Sequence, residues 1–478
     1  MVERADNSNE SPSSPKRLGN CSESSNDEDE KLDRISGLPD FILLQILSSM
    51  PTKDAVNTSV LSKRWEYLWS SLPVLDFSVP NHDFSDPNKY PEDEFVYFVD
   101  RTLFFYEGSK IRKFRLDFGY FSGSFASYVD SWIRFVVRKK VEELDLDLSP
   151  NLYELPPHLC NNDSLAKLRL KYCDFRPRGP FSWRLLTSLS LDHIPLSDNL
   201  IQDILSGSPS LEYLDLQECR GLMHLNITSP SIKQLIVQYD DHDVYDSTKS
   251  DSVLEISAPN LQSLGIIGFW CRRCRLMNLQ CLVQASLNFR VVTNDFEGCD
   301  NILREVLESL HHVKDLTIGS WCIRILSTWE LKILPSPPSK RKCLTLYTYL
   351  MKWDLPGIAS LLRSSPDLET LVVKMSFANR TQDFDGENYW NSLKHSFQCL
   401  LHNLKTVKIV SFVGRDCEMD LVQFMLKHAM VLEKMVIYSE RLPDLKWWKR
   451  FMPEELLEFT QKMLTFSRAS PDAVILFS

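Results

Sequence analysis

The sequence predicts an α/β solenoid, in which a small all-α module precedes a long curved arc built on a parallel sheet. Three observations carry that expectation. The chain has 478 residues, more than one ordinary globular core organises unless the architecture is elongated. From Ile111 onward the hexamer apolar-x-x-apolar-x-apolar recurs thirteen times. Residues 38–72, ahead of those hexamers, concentrate Leu, Ile and Trp in short runs bounded by prolines.

In chain order, residues 1–32 come first. They are rich in Ser, Asn, Pro and acid, carry net −4 and hold too little apolar surface to fold, so they read as a disordered acidic tail. Leu38-Pro39 then opens PDFILLQILSSM, a helix whose Pro39 suits the first turn and which Pro51 ends. Thr52 is placed to cap a second short helix (KDAVNTSV) and Ser62 a third (KRWEYLWSSL). In the third, Trp65, Leu68, Trp69 and Leu72 fall at i, i+3, i+4 and i+7. Three short helices cannot bury this much Leu, Ile and Trp among themselves, so the excess is expected to meet another polypeptide. For the tryptophans, the module's own core and an interface are both open, because large aromatics serve either.

The hexamers follow as IRKFRL (from Ile111), VEELDL (Val141), LAKLRL (Leu165), LTSLSL (Leu186), LEYLDL (Leu211), IKQLIV (Ile232) and LQSLGI (Leu261). They continue as LVQASL (Leu282), VKDLTI (Val313), the degenerate RKCLTL (Arg341), LETLVV (Leu368), LKTVKI (Leu404) and LEKMVI (Leu432). Starts lie 21 to 36 residues apart, the range of irregular leucine-rich repeats. Between several hexamers runs an amphipathic helix, as in LIQDILSGSPSLEYL, GIASLLRSSPDLETL and LVQFMLKHAMVLEKM. Fourth and sixth hexamer residues should point inward along a strand and stack on the same positions of neighbouring units. No unit buries its leucines alone, so stability comes from stacking, at roughly 1.5–3 kcal/mol per fully buried Leu.

Third, fifth and seventh residues then face the concave side. At its N-terminal end they are Lys113, Arg115 and Asp117, then Glu143, Asp145 and Asp147, then Lys167, Arg169 and Lys171. An acidic rung between two basic ones can form lateral ion pairs, or present a charged patch that steers a binding partner. Farther along the face turns neutral, with Ser188, Tyr213, Asp215, Gln217, Gln234 and Ser263 among its residues. Such a surface suits peptide recognition and is equally ordinary repeat surface.

Several function classes are excluded or disfavoured. A net charge of −10 argues against a bulk electrostatic grip on nucleic acid. No apolar run approaches a membrane helix, and the polar N-terminal stretch lacks the apolar region of a secretory signal. Twelve scattered cysteines are therefore expected as reduced thiols in the nucleus or cytoplasm. Glycine-rich phosphate loops, H-E-x-x-H and G-x-S-x-G are missing, so no catalytic residue and no cofactor is expected. Asp145 and Asp147 read as strand alternation rather than an acid–base pair. Cys271 and Cys274, with Cys281, Cys299 and His311-His312 downstream, fit no standard zinc spacing.

The segment Asp33 to Phe77 resembles a plant-type F-box. The match rests on Leu38-Pro39, Pro51-Thr52-Lys53 and Leu61-Ser62-Lys63-Arg64-Trp65 with Leu68-Trp69. Residues 396–478 are similar to the FBD domain that follows leucine-rich repeats in one large plant F-box group. HNLKTVKIVSFVG, LVQFMLKHAMVLEKMVI and FSRASPDAVILF carry that likeness, while RLPDLKWWKRFMPEE departs by lengthening the segment before the final helix. The resemblance covers residues 33–478 and implies an F-box at 33–79, leucine-rich repeats at 80–395 and an FBD cap at 396–478. It further implies a non-catalytic substrate receptor of an SCF-type cullin–RING ubiquitin ligase. The F-box would dock a Skp-type adaptor, and through it a cullin, by Leu38, Pro39, Ile42, Leu43, Ile46 and Leu47, with Val60, Leu61, Trp65 and Leu68 in support. The repeats would hold a protein target on Lys113, Arg115, Glu143, Asp145, Lys167, Arg169, Tyr213, Asp215 and Gln234. A competing expectation is a repeat module that works with the adaptor outside any cullin complex.

Overall fold

A computed structural model of the protein describes residues 35, 37–78, 92–119, 122–176, 179–239, 253–269, 273–290, 296–351, 354–375, 401–438 and 453–477. The acidic tail 1–32, Cys271 and the lengthened segment through residue 452 lie outside them.

Every hexamer forms a strand, and every one of those strands starts at the hexamer's third residue. The first are β2 (Lys113–Asp117), β3 (Glu143–Asp147), β4 (Lys167–Lys171), β5 (Ser188–Asp192) and β6 (Tyr213–Gln217). Next come β7 (Gln234–Tyr239), β8 (Ser263–Phe269), β9 (Gln284–Arg290) and β10 (Asp315–Ile318). The last are β11 (Cys343–Thr348), β12 (Thr370–Met375), β13 (Thr406–Val410) and β14 (Lys434–Tyr438). Two more strands flank them, β1 (Val74–Phe77) and β15 (Val474–Phe477), giving a 15-stranded sheet in strict chain order. All neighbours pair in parallel with like hexamer positions in register, as Lys113↔Glu143 and Glu143↔Lys167 show. Fourth and sixth residues are buried and third, fifth and seventh mostly are not, for example in β3. The first hexamer position is buried too, from Ile111 to Leu432.

The first flanking strand is legible in the sequence after all. Leu72-Pro73-Val74-Leu75-Asp76-Phe77 is itself a hexamer, with Leu72, Leu75 and Phe77 buried. It escapes notice only because it falls inside the segment assigned to the helical module. The sheet also continues unbroken through β13–β15, so the strands of the C-terminal stretch belong to the same sheet as the repeats before them.

Return segments include α4 (Ala126–Arg138), α5 (Asp198–Ser206), α6 (Phe296–Ser309), α7 (Ser320–Leu331), α8 (Leu355–Arg363) and α9 (Asp416–His428). Three of them coincide with the amphipathic stretches read in the sequence. Ser197 caps α5, its hydroxyl accepting from Leu200 N at 3.2 Å.

The N-terminal module holds α1 (Asp40–Leu47) and α2 (Thr52–Asn57), but not the expected third helix. Residues 63–67 form turns and Leu68–Ser71 a short 3-10 helix. Local hydrogen bonds explain the change: Ser70 Oγ donates to Tyr67 O (2.8 Å) and Trp69 Nε1 to Glu66 O (3.1 Å). Nor does Thr52 cap α2. It is the first helical residue, and its hydroxyl accepts from Asp76 N at 2.7 Å, tying α2 to β1. The module is thus fastened to the first strand of the arc. A further helix, α3 (Glu92–Phe104), leads into β2, and Glu107 N at its end donates to Ser70 O (2.9 Å).

Candidate functional site

Two surfaces are candidates, the outer face of the N-terminal module and the concave face of the sheet. On α1 the inward side is built from Leu43 and Leu47, four residues apart and fully buried. Its other side leaves Ile46 at 44% exposure and Phe41 at 68%, with Pro39 exposed and Ile42 half-buried between. In the 3-10 turn Thr58–Val60 that follows α2, Val60 stands 85% exposed, and Leu61 just after it 65%. Arg64 draws the two regions together: its Nε donates to Asp40 Oδ1 at 2.9 Å and its Nη2 to Leu38 O. An exposed ion pair is worth only ~0–1 kcal/mol, so its role is to fix position.

Three expected contact residues need correction. Leu43, Leu47 and Trp65 are not on the outer face, because the 3-10 turn Leu68–Ser71 packs against α1 and all three side chains lie in the shared core. Leu38 and Leu68 are half-buried against that core. Phe41 and Tyr67, both exposed, were missed; Phe41 lies on the α1 face opposite Leu43 and Leu47, a signal the helical period contains.

The concave charges at the N-terminal end are largely engaged with one another. Lys167 Nζ lies 3.1 Å from Glu143 Oε1, and Lys171 Nζ 3.1 Å from Asp147 Oδ2 and 3.9 Å from Asp192. Arg115 spans Asp76 (3.9 Å), Asp145 (3.7 Å) and Asp117 (3.9 Å). Burial nevertheless holds the Asp145 carboxyl above the usual range, against the pull of Arg169, Arg115 and Lys113. The sequence left steering and lateral pairing open, and these distances favour pairing.

Asp215, expected to face a target, is instead buried at 6% exposure. Ser190 Oγ (3.2 Å) and Gln217 Nε2 (2.8 Å) donate to its Oδ2, and burial raises its pKa. Its neighbours Tyr213, half-buried, and Gln234, exposed, remain on the surface. Among the described residues no group of three or more His, Cys, Asp or Glu could hold a metal, and no helix is long and apolar enough to cross a membrane.

The geometry therefore joins an outward apolar helical module to a long repeat sheet. A family model described as the At1g61320/AtMIF1 LRR domain matches residues 104–450, and the F-box domain model matches residues 35–77. The chain belongs to the plant F-box/leucine-rich-repeat proteins. It is 36% identical over 367 residues to the putative F-box protein At1g49610 of Arabidopsis thaliana, covering 75% of this chain and 88% of that one. It is 31% identical over 436 residues to the F-box/LRR-repeat protein At5g02910 of the same plant, covering 86% and 89%. The F-box/FBD/LRR-repeat protein At1g13570, also from Arabidopsis thaliana, is 28% identical over 457 residues, 94% of this chain and 99% of that one. In this F-box/leucine-rich-repeat chain, residues 35–77 both supply the outward apolar face and, through β1, begin the sheet.

Proposed function

We propose that the chain is the substrate-recognition subunit of an SCF-type cullin–RING ubiquitin ligase, acting in the nucleus or cytoplasm. The F-box docks a Skp-type adaptor, which brings the cullin, and the repeat arc holds a protein target. The chain itself performs no chemistry. It positions the target near a ubiquitin-loaded enzyme, which raises the effective concentration to about the mM range or above.

The observation that carries this reading is the exposure of Ile46, Val60 and Leu61 while Leu43 and Leu47, the inward stripe of α1, are sealed. Large apolar side chains left outside a well-packed module mark a protein contact. Leu38, Pro39 and Ile42 extend that contact, and Leu68 supports it from beneath.

The test is co-purification with a Skp-type adaptor and a cullin. The double variant Val60→Asp with Leu61→Asp should lose both while keeping its melting temperature. Undiminished adaptor capture would sink the docking claim. Adaptor without cullin in the wild-type pull-down would instead support a module working outside the ligase.

A further inference from the structure

The two ends of the concave face differ in how their cations are matched. In the N-terminal strands every basic concave residue has an acid beside it in register. Arg115 lies between Asp76 and Asp145, Lys113 beside Glu143, Arg169 beside Asp145, Lys167 beside Glu143, and Lys171 between Asp147 and Asp192. In the C-terminal strands none does. Lys374 of β12 pairs with Tyr347 and Val410, Lys408 of β13 with Val372 and Val436, and Lys434 of β14 with Thr406 and Val474.

These three lysines are the seventh, fifth and third residues of consecutive hexamer strands, so they run diagonally across the sheet. Strand spacing and rise put successive Cα positions roughly 8 Å apart. Lys408 and Lys434 are exposed. Lys374 is half-buried, its Nζ donating to the Tyr347 hydroxyl at 3.1 Å and lying 5.0 Å from that ring's centroid. That contact orients the ammonium without neutralising it. None of the three forms an ion pair among the described residues. Such a row in a chain of net charge −10 is a local reversal of sign. Three cations are too few for the counterion-release grip that nucleic acid needs, but they suit a short acidic stretch of protein.

We propose that the C-terminal third of the concave face receives a carboxylate- or phosphate-bearing segment of the target protein at Lys374, Lys408 and Lys434. This rests on the reading of the arc as target-holding and adds the chemical class of what it holds. Binding is strongest where two or more anionic groups are spaced to meet neighbouring lysines, and it weakens with salt.

The experiment uses the full chain purified with its adaptor and three labelled peptides of equal length, rich in Asp and Glu, in phosphoserine, or in Lys. Fluorescence anisotropy should show binding of at least one anionic peptide and none of the Lys peptide. The stronger anionic probe identifies carboxylate or phosphate as the recognised group. K374E/K408E/K434E should weaken that binding at least about tenfold, whereas K233E, at a lysine paired with Glu212 (3.2 Å), should leave it within about twofold. Far-ultraviolet melting, with the single variant K408A as a milder control, excludes unfolding as the cause. Absence of anionic-peptide binding, equal binding of the Lys peptide, or an unaffected triple variant would each overturn the proposal. Adaptor retention in the same preparation reports separately on the F-box reading.

Discussion

Arg341 donates through its Nε to Ser339 Oγ from the first position of a hexamer, the place that all the other hexamers give to an aliphatic side chain. The residue is 3% exposed, Nη1 has no hydrogen-bond partner among the described residues, and burial pushes its pKa down to about 10. A buried cation without a carboxylate is costly, and a hydrophobic residue of similar reach removes the cost. Arg341→Leu should therefore stabilise the arc by about 1–3 kcal/mol, read as a higher denaturant midpoint. An unchanged or lowered midpoint would show that the site depends on the charge.

The split across α1 separates stability from docking. Leu43→Ala should cost about 2–5 kcal/mol, because it opens a cavity in a fully buried site. Ile46→Ala, at an exposed position of the same helix, should change stability by less than about 0.5 kcal/mol yet weaken adaptor capture. Thermal melts and pull-downs on the same two proteins decide the matter.

Gly357 in α8 is where two return helices meet most closely. A Cβ there would sit 2.1 Å from Ile323 O and 2.8 Å from Ser327 Oγ, and Gly357 N donates to that same hydroxyl at 2.8 Å. Gly357→Ala should destabilise the protein by about 1–3 kcal/mol despite alanine's better helix propensity. Chemical denaturation measures it.

Asp354 supplies the pH test. It is fully buried; its Oδ2 accepts from Thr348 Oγ1 (2.8 Å) and Met351 N (3.1 Å), while Oδ1 has no hydrogen bond among the described residues. Burial raises its pKa above the ordinary carboxylate value, outweighing Thr348, Met351 and Arg324. A carboxyl with a raised folded pKa binds more protons folded than unfolded. Its contribution therefore falls as pH rises from its ordinary pKa through the folded one. Asp354→Asn keeps an acceptor for Thr348 and Met351 and removes the titration. The variant should show a flatter stability–pH curve above pH 4 than the wild type, and parallel curves would contradict this.

Thiol labelling gives a direct readout of packing. Burial pushes Cys160 up to about 11 and Cys274 and Cys322 up to about 12, while Cys281 is exposed. Under native conditions Cys281 should alkylate first and the other three only on unfolding, as peptide mass spectrometry would show.

The sequence alone determined the sheet. Period-two alternation is a local property, so each hexamer announced its strand and even its first residue, including the degenerate Arg341 repeat. The unit that holds β15 lacks the apolar lead, opening Asp472-Ala473-Val474, and for that reason does not read as a hexamer. Tertiary structure decided the rest. Whether Leu43 or Ile46 faces outward depends on where β1 and the turn at 63–71 come to lie, and no helical period encodes that. Which lysine meets an acid depends on residues in different repeats, separated by unequal connections, falling into register. That pairing, absent at Lys374, Lys408 and Lys434, exists only once the strands are laid side by side.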